Sequence, residues 1–181
     1  MNYLRIEAED VCNGAGLRVT IWCSSCSHKC NGCFNKESWD SNSGELFDHK
    51  VKEKLFLELS KDYISGITLT GGDPLHENNI YTILNLIREI KEKFPSKTIW
   101  LYTGYSFDDL KEKYQTYRFA FNPNNEWIIR WNIISLCDVL IDGEYINEQR
   151  DVTLKWRGSK NQRVINLPET LKQNKVILYC D

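Results

Sequence analysis

The strongest constraint on the fold of this chain is a regular alternation of strand-like and helix-like segments. Four segments have the apolar, β-branched composition of strands, at 18–23, 66–70, 98–102 and 138–141. Apolar residues at helical spacing predict helices at 51–60, 79–94 and 106–114. Alternation of this kind is typical of βαβ units, so we expect an α/β fold with a mostly parallel sheet.

Two stretches interrupt this alternation. The first, 23–50, holds most of the cysteines. The second, 115–136, contains the turn-forming sequence Asn-Pro-Asn-Asn, and we predict an insertion at about 115–130 with a short helix over 126–135. After residue 165 we expect a variable tail, for which disorder and an added edge strand at 175–179 are both open.

Length and charge narrow the class of protein. The 181 residues suit one domain, and 41% hydrophobic residues are enough to fill a core. The net charge of −2 argues against a nucleic-acid binder that works by bulk charge. No apolar run approaches the roughly 20 residues that span a bilayer, and the first ten residues lack the apolar centre of a signal peptide. We therefore expect a single domain over 1–181 in the cytoplasm, with no membrane or nucleic-acid partner.

Unusual residues follow four of the predicted strands. Cysteines follow the first, and the others are followed by Gly71-Gly72-Asp73-Pro74, by Thr103-Gly104-Tyr105 and by Asp142-Gly143-Glu144. Parallel α/β folds bind ligands at the carboxyl ends of their strands. We therefore predict that these four loops meet at one edge of the sheet and form the functional site.

Four of the seven cysteines lie within eleven residues, at Cys23, Cys26, Cys30 and Cys33. Reduced thiols clustered in this way indicate metal binding or redox catalysis. Two zinc knuckles usually stand about a dozen or more residues apart, and a thioredoxin-like pair at 23–26 leaves the other two cysteines without a role. An iron–sulfur cluster, which takes thiolate ligands from one short loop, is the third interpretation.

The spacing Cys26-x3-Cys30-x2-Cys33 resembles the signature of the radical S-adenosylmethionine (SAM) enzymes. The resemblance implies that these three thiolates hold a [4Fe–4S] cluster. It also implies that the fourth iron has no protein ligand and is chelated by the amino and carboxylate groups of SAM.

The other cysteines are expected to have structural roles. Cys23 continues the apolar face of the first strand, so we expect a small buried side chain there. Cys12, Cys137 and Cys180 are isolated and are assigned to the structure too. His28 lies between two of the proposed ligands, where a solvated loop histidine is favoured over a metal ligand.

Longer motifs, in the same order along the chain, sharpen the resemblance. They are Asn13-Gly14-Ala15-Gly16-Leu17-Arg18, Cys30-Asn31-Gly32-Cys33-Phe34-Asn35, Leu69-Thr70-Gly71-Gly72-Asp73-Pro74-Leu75, Trp100-Leu101-Tyr102-Thr103-Gly104-Tyr105, Val139-Leu140-Ile141-Asp142-Gly143-Glu144-Tyr145 and Trp156-Arg157-Gly158-Ser159. Together, in a chain this short, they resemble the activating proteins of anaerobic (class III) ribonucleoside-triphosphate reductases. The resemblance covers roughly 1–114 and 131–165. One departure is Ser24-Ser25, where this family usually has a glycine before the first ligand.

This resemblance implies a radical SAM oxidoreductase that activates another enzyme. An electron donor such as flavodoxin reduces the cluster, and SAM is cleaved to methionine and a 5′-deoxyadenosyl radical. That radical takes a hydrogen from a glycine of the large catalytic subunit of the reductase. The stored glycyl radical then starts nucleotide reduction, so the partner protein is the substrate.

The same resemblance assigns residues to the cofactors. It places Gly32, Cys33 and Phe34 against the cluster and the adenine of SAM. For Arg157-Gly158-Ser159, a contact with SAM or with the partner and a plain solvated turn are equally open.

A second set of residues is assigned to the methionyl end of SAM. The resemblance implies that Gly71 and Gly72 offer bare backbone to the amino group, because a glycine lets a ligand approach closely. Asp73 stands where many superfamily members have glutamate. Thr103 and Asp142 are expected at the same edge of the sheet, facing the SAM carboxylate, its ribose or a monovalent cation.

Length also limits how the sheet can close. A complete (β/α)8 barrel takes about 250 residues, so 181 residues predict a partial (β/α) barrel of the radical SAM type. Two alternative functions stay open. One is another small radical SAM enzyme, either a pyruvate formate-lyase type activase or a relative of 7-carboxy-7-deazaguanine synthase. The other is a zinc-binding module without catalysis.

Overall fold

The computed structural model describes residues 1–119 and 122–180 as one α/β domain built on a single sheet. Its strands are β1 Asn2–Asp10, β2 Arg18–Cys23, β3 Glu45–Leu46, β4 Gly66–Gly71, β5 Thr98–Tyr102, β6 Val139–Asp142 and β7 Arg163–Asn166. Its helices are α1 His49–Leu59, α2 Ile80–Lys93, α3 Phe107–Tyr117, α4 Glu126–Leu136 and α5 Leu167–Gln173, with short 3-10 turns at Lys36–Trp39 and Asn147–Gln149. No helix in the described part of the chain is long and apolar enough to cross a membrane.

The sheet has the order β3-β1-β2-β4-β5-β6-β7. Its four central strands, β2, β4, β5 and β6, are parallel, and the outer strands β1, β3 and β7 pair antiparallel with their neighbours. The predicted α/β class with a parallel centre is therefore confirmed. The antiparallel outer strands make the sheet mixed, and the partial-barrel assignment stays a prediction.

The two faces of the sheet have different chemistry because side chains alternate along each strand. On β2, Val19, Ile21 and Cys23 are fully buried in the main core with the apolar sides of α1, α2 and α4. The alternate residues, such as Trp22 on β2 and Tyr102 on β5, point to the opposite face. There Trp100, Val139, Ile141 and Val164 form a second, smaller cluster. We call this second side the helix-free face.

Helix ends follow the capping rules that the sequence suggests. Ser106 caps α3, since its Oγ accepts a hydrogen bond of 3.0 Å from the Asp109 backbone N–H. Asp48, Asn125 and Asn166 cap their helices in the same way. These caps fix where each connecting loop leaves the sheet.

Several elements depart from the sequence prediction. Strands β1, β3 and β7 and helix α5 were not predicted, and the predicted strand at 175–179 contributes only an isolated bridge from Leu178 to Ile165. Strand β1 carries charged residues on both faces and is stabilised by pairing with β2 rather than by its own apolar pattern. The predicted helix over 126–135 is confirmed as α4. Residues 120 and 121 of the predicted insertion, and residue 181 of the tail, lie outside the described residues.

Candidate functional site

The cysteine loop, residues 24–35, starts where β2 ends. Cys26, Cys30 and Cys33 are free thiols with partly exposed side chains. The loop turns sharply, because Ser25 and Gly32 have positive φ angles of 71° and 75°. The left-handed conformation at residue 25 favours glycine, and here a serine adopts it at some conformational cost.

Two of the four remaining cysteines, Cys23 and Cys137, are separated from this loop by burial. Cys23 is fully buried, and burial raises the pKa of its thiol to about 12, which disfavours the thiolate that a metal requires. Cys137 is also buried in the core, whereas Cys12 is exposed. Burial, with the Asp73 carboxylate nearby, raises the pKa of Cys26 to about 11. A coordinating metal ion reverses this effect because it deprotonates the thiols that bind it.

The donor set of the loop suits an iron–sulfur cluster. Within residues 1–119 and 122–180, no three His, Cys, Asp or Glu side chains are placed as a ready-made metal site. Three free thiols nevertheless lie between residues 26 and 33 of one loop, which is the donor type that such clusters take. Because these side chains are only partly buried and lie outside the core, they can turn toward a bound cluster without disturbing the sheet.

A cavity of about 600 Å³ opens beside this loop on the helix-free face. Gly32, Cys33 and Phe34 form one wall, and side chains from the sheet form the floor, among them Trp22 and Tyr102. Phe34 is 85% exposed and meets the ring of Trp22 edge-on at 6.0 Å. The volume lies in the range of small-molecule and cofactor sites.

The opposite wall of the cavity comes from the segment 145–162. Asn147, Arg157, Gly158 and Gln162 all face the cavity. Arg157 and Gly158 therefore line the cavity, while a contact of 157–159 with SAM or with the partner stays a prediction. Ser159 is fully buried instead and accepts a hydrogen bond from the Ile146 N–H.

The glycines after β4 lie at the edge of the sheet, against the start of the cysteine loop. The Gly72 N–H donates to the carbonyl oxygen of Cys23 at 2.7 Å, and the Asp73 N–H donates to that of Ser25 at 2.8 Å. A Cβ on Gly72 would stand 2.6 Å from the Ser25 oxygen. Glycine at 72 is therefore required for the close approach of the two backbones, besides any role toward a ligand.

Asp73 and Thr103 meet at this edge, as the pattern of loops predicted. The Thr103 hydroxyl donates to the Asp73 carboxylate at 2.9 and 3.0 Å. The interpretation of His28 as solvated was wrong. Its side chain is only 10% exposed, with Nε2 2.7 Å from Asp73 and Nδ1 2.9 Å from Glu144.

Asp142 is placed differently from its neighbours at this edge. Its carboxylate is 1% exposed and pairs with the Arg163 guanidinium, with Nε 3.0 Å from Oδ1. The second oxygen accepts the Phe107 N–H at the start of α3, at 2.8 Å. This pairing raises the pKa of Arg163. Asp142 is not one of the described residues that line the cavity.

The cavity residues missed by sequence reasoning include three on the strands of the sheet: Trp22, Thr70 and Tyr102. Each lies within a strand, at a position that alternates with a buried aliphatic residue. The sequence does contain a signal for these residues: polar or aromatic side chains occupy alternate positions on three neighbouring parallel strands. It indicates a second face that is lined for binding rather than filled by helices.

Comparison with known proteins agrees with these features. Residues 12–165 match a family described as a 4Fe-4S single cluster domain. The chain is 42% identical over 165 residues to the anaerobic ribonucleoside-triphosphate reductase-activating protein of Enterobacteria phage T4, covering 91% of this chain and 93% of the relative. Proteins of the same name match at 40% over 164 residues in Haemophilus influenzae (90% and 96%) and at 37% over 169 residues in Escherichia coli K12 (92% and 99%).

The family match spans the cysteine loop, the glycines after β4 and the cavity. The matched relatives cover nearly the full length of this chain and of themselves, so the similarity is not confined to one motif. The resemblance inferred from the sequence is confirmed. The chain belongs to the family of anaerobic ribonucleoside-triphosphate reductase-activating proteins.

Proposed function

We propose that this protein is a radical SAM activase that generates a glycyl radical on the large catalytic subunit of an anaerobic ribonucleoside-triphosphate reductase. The proposal rests on one observation: the candidate cluster site in the cysteine loop and the cavity beside it share a wall. The loop that holds three free thiols also forms, through Gly32, Cys33 and Phe34, one side of a cavity large enough for SAM. Electron delivery and substrate cleavage require such contiguity.

In this proposal Cys26, Cys30 and Cys33 are the protein ligands of one [4Fe–4S] cluster. When bound, the cluster supplies the single electron that cleaves the sulfonium of SAM. The three cysteines would hold that group beside the cavity, because the last of them lies in the cavity wall. Cys23 takes no part, since its side chain faces the core.

The cavity residues bind and orient SAM. The exposed ring of Phe34 and the ring of Trp22 offer an aromatic surface to the adenine. Burial raises the pKa of Tyr102, so its hydroxyl keeps its proton at the cavity floor. A Cβ on Gly32 would stand 2.6 Å from the Asn147 side chain, so glycine there lets the two walls approach each other.

The overall architecture proposed is a single radical SAM domain with a partial (β/α) barrel. The helix-free face would be the interior of that partial barrel, which places the cavity inside it. An incompletely closed interior suits a protein substrate, whose glycine must reach the SAM. A donor such as flavodoxin supplies the electrons, and reduced thiols suit a cytoplasmic location.

The alternatives fit less well. A structural zinc site takes four ligands in a closed tetrahedron, whereas the cysteine loop offers three partly exposed thiols and the fourth cysteine is buried in the core. A pyruvate formate-lyase type activase or a 7-carboxy-7-deazaguanine synthase-like enzyme would share the cluster. The relatives at 37–42% identity are named for the reductase instead.

The decisive experiment is anaerobic activation of a partner reductase. The chain, reconstituted with iron and sulfide, is incubated with SAM, dithionite and the large subunit of an anaerobic ribonucleoside-triphosphate reductase. We expect a brown protein with about four irons per chain and a glycyl-radical EPR signal on the reductase. The signal requires SAM and is absent with the Cys30→Ala variant.

Two results would contradict the proposal. A colourless protein that purifies with zinc would exclude the cluster. A loaded cluster that cleaves SAM but never produces a glycyl radical on a competent reductase would exclude the activase and favour a small-molecule substrate.

A further inference from the structure

The carboxylate of Asp73 is surrounded by hydrogen-bond donors of the protein itself. Its side chain is 2% exposed. Oδ1 accepts the Leu75 N–H at 2.8 Å, and the Thr103 hydroxyl lies 3.0 and 2.9 Å from the two oxygens. Oδ2 also accepts the Gly104 N–H at 3.2 Å and lies 2.7 Å from His28 Nε2.

These donors use the full acceptor capacity of the group. A carboxylate has about four lone-pair sites on its two oxygens. Asp73 has four protein donors, from Leu75, Thr103, Gly104 and His28. A ligand amino group would have to displace one of them, and a displaced donor at this buried place would lose its partner.

His28 connects this carboxylate to the cysteine loop. It lies between the first two proposed cluster ligands, and its ring packs edge-on against Tyr105 with centroids 4.7 Å apart. Its second nitrogen lies 2.9 Å from the Glu144 carboxylate. A Cβ on Gly104 would stand 2.5 Å from the imidazole, so the ring rests directly on that backbone.

Three separate loops therefore converge on one side chain of the cysteine loop. They follow β4, β5 and β6 and contribute Asp73, Gly104 with Tyr105, and Glu144. The contacts span 45 and 116 residues of sequence for Asp73 and Glu144. His28 is thus fixed from three sides, at a point where the loop itself has no regular secondary structure.

We infer that Asp73 and His28 are positioning residues that fix the cysteine loop on the edge of the sheet, and that the Asp73 carboxylate is not a ligand of SAM. This inference rests on the proposed function and refines it. The methionyl amino group is then bound by other acceptors of the rim, such as backbone carbonyl oxygens.

The test is a double-mutant cycle on the reconstituted full-length protein, with Asp73→Asn, His28→Ala and the double variant. Hydrogen exchange of peptides covering residues 26–33 reports how firmly the loop is held. Equilibrium dialysis of SAM reports ligand binding. His28→Gln serves as the conservative control, because its amide can still donate to Asp73.

A positioning role predicts coupled effects. Each single variant should speed exchange in the loop by at least about fivefold, and the double variant should lie within about twofold of either one. Asp73→Asn should change SAM affinity by no more than about twofold when His28 is already alanine, because the shared contact is already lost. His28→Gln should restore most of the slow exchange.

Three outcomes would overturn the inference. One is a His28→Ala variant whose hydrogen exchange over residues 26–33 is unchanged. This variant can be measured even if Asp73→Asn does not fold. Another is a loss of SAM affinity on Asp73→Asn that is equally large in both backgrounds, as a ligand role requires. The third is His28→Gln behaving as the alanine variant does. Failure of the wild-type chain to bind SAM would instead reject the proposed function, while the exchange data would still test the contact between loop and rim.

Discussion

At the scale of single residues, identical thiols are separated into two classes by burial. Cys23 lies in the core, where loss of hydration makes its thiolate unfavourable. Cys26, Cys30 and Cys33 lie three to ten residues further on, in a loop that leaves them partly exposed. The end of β2 is therefore the boundary between a structural cysteine and three candidate ligands.

Alanine substitutions should expose this boundary. Cys26→Ala, Cys30→Ala and Cys33→Ala should each reduce iron to well below one cluster per chain, because three thiolates are the minimum set. Cys23→Ala should retain the cluster and lower the free energy of unfolding by about 1 kcal/mol, through a small cavity in the core. Iron content, visible absorbance and urea unfolding measure both effects. Loss of the cluster in Cys23→Ala would reverse the ligand assignment.

Sequence reasoning found those parts of the site that are local in the chain. The three cysteines, Gly32 and Phe34 lie within nine residues and share one recognisable spacing. It missed Trp22 and Tyr102, whose role depends on which face of the sheet stays free of helices. It also misread His28, because partners 45 and 116 residues away decide its burial.

At the scale of elements, the turn between β1 and β2 is fixed by one buried carboxylate. Asp10 accepts hydrogen bonds from the Thr20 hydroxyl at 2.6 Å and from the Cys12 N–H at 2.6 Å, besides two from Asn13. Burial alone would raise the pKa of Asp10, but these hydrogen bonds outweigh burial and lower it from its usual value. Asn13 lines the cavity, so this carboxylate also shapes the site.

The lowered pKa gives a defined dependence of stability on pH. The stabilisation by ionised Asp10 is complete above the unfolded-state pKa, near pH 4, and is lost as the pH falls through the lower folded-state value. Asp10→Asn should cost about 1–2 kcal/mol at pH 7 and flatten the loss of stability on acidification. Urea midpoints at several pH values measure this. The exposed Glu37→Gln is the control, and an unchanged acid limb in Asp10→Asn would contradict the assignment.

The junction of β4 with the cysteine loop depends on a glycine. Gly72→Ala would bring a Cβ to 2.6 Å from the Ser25 carbonyl oxygen, so the start of the cysteine loop has to shift. We expect slower cluster assembly and less iron per chain. Gly143→Ala is the matched control, since its nearest neighbour would be 3.7 Å away and only its positive φ of 97° is strained. Equal iron content in the two variants would show that the junction tolerates the shift.

At the scale of the whole molecule, the chain closes its helix-free face with loops and its own tail. Tyr179 packs edge-on against Trp100 and Trp156, with ring centroids 5.1 and 5.9 Å apart. Its N–H donates to the Val164 carbonyl oxygen at 2.7 Å. The tail therefore covers the end of this face that lies away from the cysteine loop, where Trp100 and Trp156 themselves meet at 4.9 Å.

Removing the Tyr179 ring from this face should destabilise the fold and leave cluster binding unchanged. Tyr179→Ala exposes two tryptophans and should lower the free energy of unfolding by about 1–2 kcal/mol, less than for a fully buried aromatic. Urea unfolding followed by tryptophan fluorescence is the measurement. Tyr179→Phe keeps the ring and should unfold like the original chain. A Tyr179→Ala protein of unchanged stability would mean that the tail is dispensable to the fold.

The parallel centre of the sheet was predictable from the sequence, whereas its outer strands were not. The parallel centre follows from local apolar patterns that need no knowledge of neighbours. Strands β1 and β7 lie antiparallel at the outer part of the sheet, where pairing with an adjacent strand replaces apolar periodicity as the signal. The tail was predicted as a strand from its β-branched residues, but beside β7 it forms only a bridge, with backbone hydrogen bonds at Ile177 and Tyr179 and the Tyr179 ring packed against Trp100.

The crowded environment of Asp73 bears on protein engineering. A designer who transplants the cysteine motif into another α/β scaffold transfers eight residues. The aspartate and the glutamate that bind the histidine stay behind, as do the threonine and the glycine that bind the aspartate. In such a graft the loop that binds the iron would lack the contacts that fix its conformation. The smallest portable unit is therefore the loop together with the ends of three neighbouring strands, so the motif and its scaffold must be exchanged as one.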